Sequence, residues 1–502
     1  FTSPPHVRAA GANLIETLCK SCAYDLSPYH AQLVQSLIGL FRAPEAAVQR
    51  AGIRGLDSLV KSLPKERYVL HVDTLRGQLF DVAAEHKAHQ IARSVPPAEA
   101  SLLPALSLPN GIGALVAVYL QGLMTGTPEL REQSAKALGE CVGLTDPHAL
   151  KPCVVQITGP LIRIVGDRFP AGVKAAILHT LTLLLMKAGA FLKAFVPQLQ
   201  TTFVKSLADP TKIVRMRAAA ALSKLAVLAT RIEPLATDLH TALAAAAPAL
   251  QPAYLVALGG VLRGVTKPLS DGLLAKLQAS ALELLTNTDD EMSKASASLL
   301  GALGKWVHDL SSLLEAVDVA TECGSAADEG WRRQLWAVRV QQSILRTVKA
   351  EQLSLVLSTM FTPLGVAARA EKIDVRQPAA HALARLAAAM ATPTTEDIAQ
   401  TQAEGGDLEE LGQATSAAVP TAVHDLLVAL LNDKVMEVRL SAMHAVKTLC
   451  KLRPPLLRAA NRHAACLYSS PIITLGCNDN RHLPVKSAAQ RTLMHLCTVC
   501  GW

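Results

Sequence analysis

The residues of this chain that could do chemistry are its cysteines and histidines. Cys19 and Cys22 have two residues between them, as do Cys497 and Cys500, which is the spacing of many metal-binding and redox motifs. Further candidate zinc ligands near the C-terminus are Cys466, Cys477, His463, His482 and His495. Because their spacing is irregular and the surrounding pattern is helical, small buried cysteines are the preferred interpretation. We therefore expect no metal and no cofactor.

Sequence motifs of catalysis are missing as well. The chain has no Gly-rich phosphate loop ending in Gly-Lys-Ser/Thr and no Gly-x-Ser-x-Gly elbow. Its ten cysteines in 502 residues are too sparse for a disulfide framework, which favours a reduced, cytoplasmic protein. We expect a chain that is not an enzyme and that works through its surface.

A second recurring arrangement pairs an aspartate with a basic residue six or seven positions later. It occurs as Asp209 with Arg215, Asp433 with Arg439, Asp167 with Lys174 and Asp479 with Lys486. Each aspartate lies in a polar turn, where it can accept hydrogen bonds from free amides at the start of the next helix. Each basic residue can then pair with an aspartate of its own repeat or of the next one. For these residues a structural ladder is preferred over partner binding.

The positive charge of the chain is concentrated in one stretch. The net charge is +8, and residues 157–230 hold ten basic residues against Asp167 and Asp209. This imbalance favours an acidic partner, either protein or nucleic acid, although a solvated helix face is the simpler alternative. The candidate partner-binding residues are Lys212, Arg217, Lys224, Arg215, Lys205, Arg163 and Lys174.

Arg217 and Lys224 are the strongest of these candidates. Seven residues separate them, so they share one face of a helix and leave Val214, Ala218 and Leu225 to fill the core. Lys212, at the preceding turn, is expected on the same side. Arg215 is ambiguous, because its loss could act through the ladder and therefore through folding.

A repeating helix pair positions these residues. Arg131, Lys174 and Arg215 recur about 43 and 41 residues apart, each near the start of the second helix of a pair. Half of the residues are hydrophobic but only 4% are aromatic, which suits close packing of helices rich in Ala, Leu and Val. The pattern predicts an all-α solenoid of HEAT/armadillo-like repeats with about ten helix pairs.

The repeats divide into segments of different regularity. Residues 1–110 hold N-terminal repeats with an irregular connection at 94–110, and residues 111–230 hold the most regular, basic repeats. Partly degenerate repeats follow at 231–390, then an acidic insertion at 391–418 that is predicted to be disordered, and C-terminal repeats at 419–502.

Two further expectations concern the limits of the chain and the membrane. The first residue is Phe1, which suggests a fragment of a longer protein. The most apolar window, 171–192, still contains Lys174, His179 and Lys187, so we expect no membrane span.

Three phrases of the sequence carry a family resemblance. They are ELREQSAKALGECVGLT, ALKPCVVQITGPLIRIVGDRF and FVPQLQTTFVKSLADPTKIVRMRAAAALSKL, all within residues 108–225. They resemble the C-terminal region of the giant HEAT-repeat activators of the amino-acid-starvation kinase, the general control non-derepressible protein one family. The repeat at 234–265 and the acidic insertion at 391–418 depart from the pattern of that family.

The resemblance implies a non-catalytic scaffold. Members of the family associate with translating ribosomes, especially stalled or colliding ones, in the cytoplasm. They bind the RWD domain of the kinase that phosphorylates the α subunit of translation initiation factor two. By this resemblance the RWD-binding segment covers about residues 157–306, and no partner in a membrane or on DNA is expected.

Two alternatives remain open at this stage. The basic repeats could bind RNA or the ribosome directly, without contact to the kinase, and a steep loss of affinity with salt would then be expected. The scarcity of aromatic residues weakens recognition of single strands by base stacking. A cargo-binding solenoid of the transport-receptor type is the other alternative, although an acidic surface would suit basic cargo better.

Overall fold

The computed structural model consists of α-helices joined by short turns and 3-10 segments. It describes residues 3–21, 26–93, 99, 101–166, 168–322, 330–353, 356–391, 401, 421–452, 468–469, 471–477 and 482–500. Over these residues no β-strand forms, and 21 α-helices have ten residues or more. The all-α class predicted from the repeat spacing is confirmed.

The chain divides into two compact units, residues 1–232 and 233–502. The helices of the first unit are α1 (Pro5–Ser21), α2 (His30–Gly39), α3 (Ala46–Lys61), α4 (Val72–Ala92), α5 (Gly113–Thr125), α6 (Pro128–Leu144), α7 (Val154–Val165), α8 (Ala171–Ala188), α9 (Val196–Ser206) and α10 (Lys212–Leu225). Those of the second are α11 (Ile232–Ala245), α12 (Gln251–Gly264), α13 (Asp271–Leu285), α14 (Asp290–Leu303), α15 (Leu310–Glu322), α16 (Gly330–Thr347), α17 (Leu357–Ala368), α18 (Ile373–Met390), α19 (Thr421–Leu431), α20 (Met436–Leu452) and α21 (Leu483–Cys500).

Each regular repeat consists of a first helix and a second helix. In the first unit the pairs are α5 with α6, α7 with α8 and α9 with α10; in the second unit they are α11 with α12, α13 with α14, α15 with α16, α17 with α18 and α19 with α20. Within each unit the second helices of successive repeats contact one another extensively. Their middle turns therefore form a continuous layer, and this layer positions the surfaces described below.

Small residues allow the second helices to approach closely. Thr180 on α8 donates its hydroxyl hydrogen to the Ala135 carbonyl on α6, at 2.7 Å. A Cβ added to Gly139 on α6 would lie only 2.7 Å from the Thr180 hydroxyl oxygen. The Ala-rich, aromatic-poor composition thus has a direct structural reason, because larger side chains would separate the two helices.

The connection predicted at 94–110 is irregular where it is described, with a 3-10 segment at Pro104–Ser107. It is nevertheless part of the core, because Leu103, Ala105 and Leu106 are fully buried. The insertion predicted at 391–418 lies outside the described residues, apart from Ala391 and Thr401.

One apolar stretch, Ala171–Ser206, is long enough by composition to cross a membrane. It comprises α8, a 3-10 segment at Gly189–Phe195 and α9, and 61% of its most apolar window is buried inside the protein. Burial against neighbouring helices accounts for this hydrophobicity, as expected for the core of a helical repeat.

Candidate interaction surfaces

The polar ladder forms at the turn between α9 and α10. The Asp209 carboxylate accepts a hydrogen bond from the Thr211 amide at 2.9 Å and pairs with the Lys174 amine of the preceding repeat at 3.0 Å. Arg215 donates to the main-chain carbonyls of Asp209 and Pro210, at 3.0 and 2.8 Å. The aspartate thus holds the turn and joins two repeats, and Arg215 donates to two carbonyls of the same turn.

The second unit repeats this geometry at the turn between α19 and α20. The Asp433 carboxylate accepts from the Val435 amide at 2.8 Å and from Arg376 of the preceding repeat at 2.8 and 3.2 Å. Arg439 donates to the carbonyls of Asp433 and Lys434. Arg376 is a ladder residue that was not among the predicted ones, because no aspartate precedes it by six or seven residues. The signal that could have found it is the likeness of Asp374-Val375-Arg376 to Glu437-Val438-Arg439 at the start of α20.

The structure describes only some of the remaining predicted ladder residues. Asp167 and Asp479 lie outside the described residues, and Lys486 is half-buried in the first turn of α21. Arg131 adds a related contact at the start of α6, where its guanidinium donates to the Gly126 carbonyl at 2.8 Å and lies 4.5 Å from the centre of the Phe169 ring. A basic residue that folds back onto turn carbonyls is therefore common to several repeats.

Arg217 and Lys224 are exposed on α10, whereas Val214, Ala218 and Leu225 are fully buried. The helix therefore has the orientation that the seven-residue spacing indicated. The exposed face combines cations and apolar groups: Ile213, Arg217, Ala220, Lys224 and Val227 follow one another at spacings of three or four residues. We call these five residues the α10 stripe.

The α10 stripe continues onto the neighbouring second helix. Arg217 lies 3.2 Å from the Nδ1 atom of His179 on α8. Burial, and secondarily the Arg217 charge, lowers the pKa of His179. Met186, seven residues after His179, is 61% exposed. The two second helices thus present cations beside exposed apolar side chains.

The other candidates do not share this face. Lys174 belongs to the ladder, and its side chain is only 22% exposed. Lys212 is exposed at the first residue of α10, but five residues separate it from Arg217, so it lies outside the stripe. The contribution of Lys212 to partner binding on the same side stays a prediction.

Arg163 and Lys205 are exposed on the first helices α7 and α9. A groove of about 610 Å³ lies between these helices, with Lys205 on its lining and the pair of Lys174 and Asp209 at its end. These two cations thus form a separate group on the first-helix side. The predicted basic surface is divided between two helix layers.

Metal-ligand geometry is not present in the described part of the chain, where no group of three or more His, Cys, Asp or Glu residues could hold an ion. Cys141, Cys153 and Cys450 are buried, while Cys19, Cys477 and Cys497 are half-buried. Burial raises the pKa of the Cys153 thiol. Cys22, His463 and Cys466 lie outside the described residues.

Comparisons with known proteins identify relatives over nearly the whole chain. The family model described as "Stalled ribosome sensor GCN1-like, HEAT repeats" matches residues 2–110. "Protein ILITYHIA" of Arabidopsis thaliana is 31% identical over 500 residues, which cover 98% of this chain and 17% of that protein. "eIF-2-alpha kinase activator GCN1" of Dictyostelium discoideum is 30% identical over 504 residues, again 98% of this chain and 17% of that protein.

The human protein named "Stalled ribosome sensor GCN1" is 34% identical over 329 residues, which cover 64% of this chain and 12% of that protein. The chain therefore spans less than a fifth of the length of the curated relatives it matches. These relatives are named as a sensor and a kinase activator, and the expectation of a non-enzymatic chain is confirmed at the level of the family. The matches identify the chain as a GCN1-like HEAT-repeat region.

Proposed function

We propose that this chain is a scaffold segment that binds the RWD domain of the starvation-responsive initiation factor two α kinase. In this proposal the chain helps to activate the kinase on stalled or colliding ribosomes and so regulates translation under stress. The kinase-activator and ribosome-sensor names of the relatives support this function at the level of whole proteins. A cytoplasmic, polysome-associated location follows from the same proposal.

The α10 stripe is the surface that carries the proposal. Its two cations are exposed beside Ile213 and Val227, which are 53% and 59% exposed, and its opposite face is fully buried. A protein partner can bury these apolar groups while its carboxylates approach Arg217 and Lys224. We propose an acidic face of the RWD domain as that partner, within a binding segment at 157–306 whose basic half contains the stripe.

The ladder residues have a supporting role in this proposal. Lys174 and Arg215 fix the turn before α10, so they orient the stripe instead of contacting the partner. Arg163 and Lys205 lie on the first-helix side and serve as a built-in comparison. If the partner bound the first-helix side, reversing the charges of Arg163 and Lys205 would weaken RWD binding more than reversing those of the α10 stripe.

A pull-down of this chain against the isolated RWD domain and against purified ribosomes, each at two salt concentrations, tests the proposal. We expect retention of the RWD domain at both concentrations, with less retained at the higher one because salt screens the exposed charges that speed association. Arg163→Glu/Lys205→Glu should retain the RWD domain. Retention of ribosomes without the RWD domain would contradict the proposal and favour direct binding of ribosomal RNA.

A further inference from the structure

The second helices of the second unit form a basic layer that no continuous stretch of the sequence reveals. Helices α12, α14, α16, α18, α20 and α21 contact one another in that order. At a usual helix separation of 8–10 Å, six stacked helices extend roughly 40–50 Å. Side chains in their middle turns are therefore neighbours, although about 40 residues separate them along the chain.

Basic side chains lie in the middle or last turns of five of the six helices. They are Arg263 on α12, Arg339 and Arg346 on α16, His381 and Arg385 on α18, His444, Lys447 and Lys451 on α20, and Arg491 and His495 on α21. On each helix they are spaced by three, four or seven residues, so each set shares one face. We call these ten residues the cationic track. Its positive charge near neutral pH comes from the seven arginines and lysines, because burial lowers the pKa of His381, His444 and His495 and so favours their neutral form.

The charges of the cationic track influence one another across helices. Burial, and then the charge of Arg346, lowers the pKa of both Arg263 and Arg385. Burial lowers the pKa of His381 to about 4, with smaller contributions from His444 and three arginines. The Arg263 guanidinium also reaches the Ser298 hydroxyl on α14 at 3.2 Å. The track is thus one electrostatic surface rather than a set of isolated charges.

The carboxylates that the structure describes do not pair with the cationic track. On these six helices the acidic residues are confined to first turns, as Asp290, Glu291, Asp374 and Glu437. Asp374 opposes the larger effect of burial, which lowers the pKa of Arg339. Among the described side chains, no ion pair involves a residue of the track. Crowded, unpaired cations favour the binding of an anion.

The acidic residues of this unit lie on the first helices instead. Described carboxylates there are Glu233, Asp238, Asp271, Glu283, Glu315, Asp318 and Asp425, against one described lysine, Lys276, no described arginine, and the histidines His240 and His424. The unit is therefore polarised between its two helix layers, while its sequence is nearly balanced in charge. An approaching polyanion would be directed to the second-helix side.

The side chains that lie between the cations indicate whether the partner is a protein or a nucleic acid. Protein interfaces need apolar or aromatic anchors. On these six helices the exposed large hydrophobic side chains are Ile373, Leu452 and Leu483 at helix ends and Met494 within α21, and no described aromatic side chain is exposed. Without anchors for a protein or stacking platforms for bases, repeated guanidinium groups suit phosphates.

We propose that the cationic track is a nucleic-acid site that binds the phosphate backbone of an RNA or DNA helix without reading its sequence. This site goes beyond the proposed kinase contact, because it lies in the other unit and takes another class of ligand. The track is longer than one turn of a duplex, which is about 34 Å. A helix of about 20 base pairs can therefore contact it from end to end.

Fluorescence anisotropy with labelled 20-base-pair RNA and DNA duplexes tests the proposal. The track variant Arg346→Gln/Lys451→Gln/Arg491→Gln changes three exposed cations of the track. The control Lys267→Gln/Lys276→Gln/Lys434→Gln removes the same charge from exposed positions outside the track, in the same unit. Because all six residues are exposed, neither triple variant should change the thermal midpoint appreciably.

We expect the track variant to lose at least about tenfold in duplex affinity and the control less than about twofold. The slope of log affinity against log salt should fall by about two to three for the track variant, one for each lost phosphate contact. Stronger binding of one duplex would identify the source of the phosphate backbone. Binding of the RWD domain should be equal for the two variants, which separates this proposal from the previous one.

Three results would overturn the proposal. They are an absence of duplex binding at 50 mM salt, equal losses for both triple variants, and displacement of the duplex by polyglutamate at matched charge concentration. The last result would identify an acidic protein segment as the ligand of the track.

Discussion

The α10 stripe and the cationic track are both basic, but they differ in what surrounds the cations. In the stripe, Arg217 and Lys224 alternate with exposed apolar side chains. In the track, cations follow one another over five helices. Among the described residues of these helices, Met494 on α21 is the only exposed large hydrophobic side chain away from a helix end. The same charge thus supports two kinds of recognition, a protein surface in one unit and a phosphate backbone in the other.

Salt should separate the two surfaces most strongly. If the track contacts about five phosphates, duplex affinity should fall roughly 10²–10³-fold between 50 and 200 mM salt. Binding of the RWD domain to the stripe should fall about tenfold or less, because apolar burial does not depend on counterion release. Titrations of both ligands against the unchanged chain measure the two slopes. Equal slopes would remove the distinction between the surfaces.

The ladder offers a stability test within the second unit. Asp433→Ala removes a bidentate partner of Arg376 and an acceptor of the Val435 amide, and the side chains of Asp433 and Arg376 are each only 13% exposed. We expect the free energy of unfolding to fall by about 3 kcal/mol in urea denaturation, because Arg376 loses its partner. Asp425→Ala, at an exposed position on α19, should stay within about 0.5 kcal/mol. Similar losses for both variants would show that the ladder does not join the repeats.

The apolar part of the stripe should contribute independently of charge. Ile213→Ser/Val227→Ser removes two exposed aliphatic side chains without changing the net charge. We expect RWD affinity to fall about tenfold, as for partial loss of buried apolar area, with no change in salt slope. Val366→Ser, at a 58% exposed position on first helix α17, is the control. An unchanged affinity of the double variant would mean that the partner reads charge alone.

The smallest expected effect is the change of stability with pH that arises from His381 of the track. The pKa of His381 is lowered to about 4 in the folded state, from about 6.5 when unfolded, so the unfolded chain binds a proton first as the pH falls. Stability from this group is complete above about pH 6.5 and is lost as the pH falls toward 4. Between pH 7 and pH 6 the loss should be about 0.7 kcal/mol. Thermal melts of the unchanged chain and of His381→Gln measure the difference, and an identical pH dependence would contradict the burial of His381 in its neutral form.

The sequence alone predicts which residues of the α10 stripe share a face, but it does not predict the cationic track. Arg217 and Lys224 lie on one helix in a strongly basic stretch, so spacing and local charge reveal their common face. The cations of the track are distributed one to three per helix, and the carboxylates on the intervening first helices cancel them in any window of sequence. Only the stacking of second helices separates the two signs of charge. The ladder is predicted in part. Its aspartates are evident in the sequence, but the pairing of Arg376 with Asp433 is evident only once the structure shows how the repeats align.

In the proposed function the α10 stripe binds the RWD domain of the kinase. Calorimetric titration of the isolated RWD domain into the unchanged chain and into Arg217→Glu/Lys224→Glu measures this contact. We expect a loss of at least about 100-fold in affinity, since two cations opposite carboxylates become repulsive, with helicity and thermal midpoint unchanged at these exposed positions. Normal RWD binding by a folded double variant would contradict the claim.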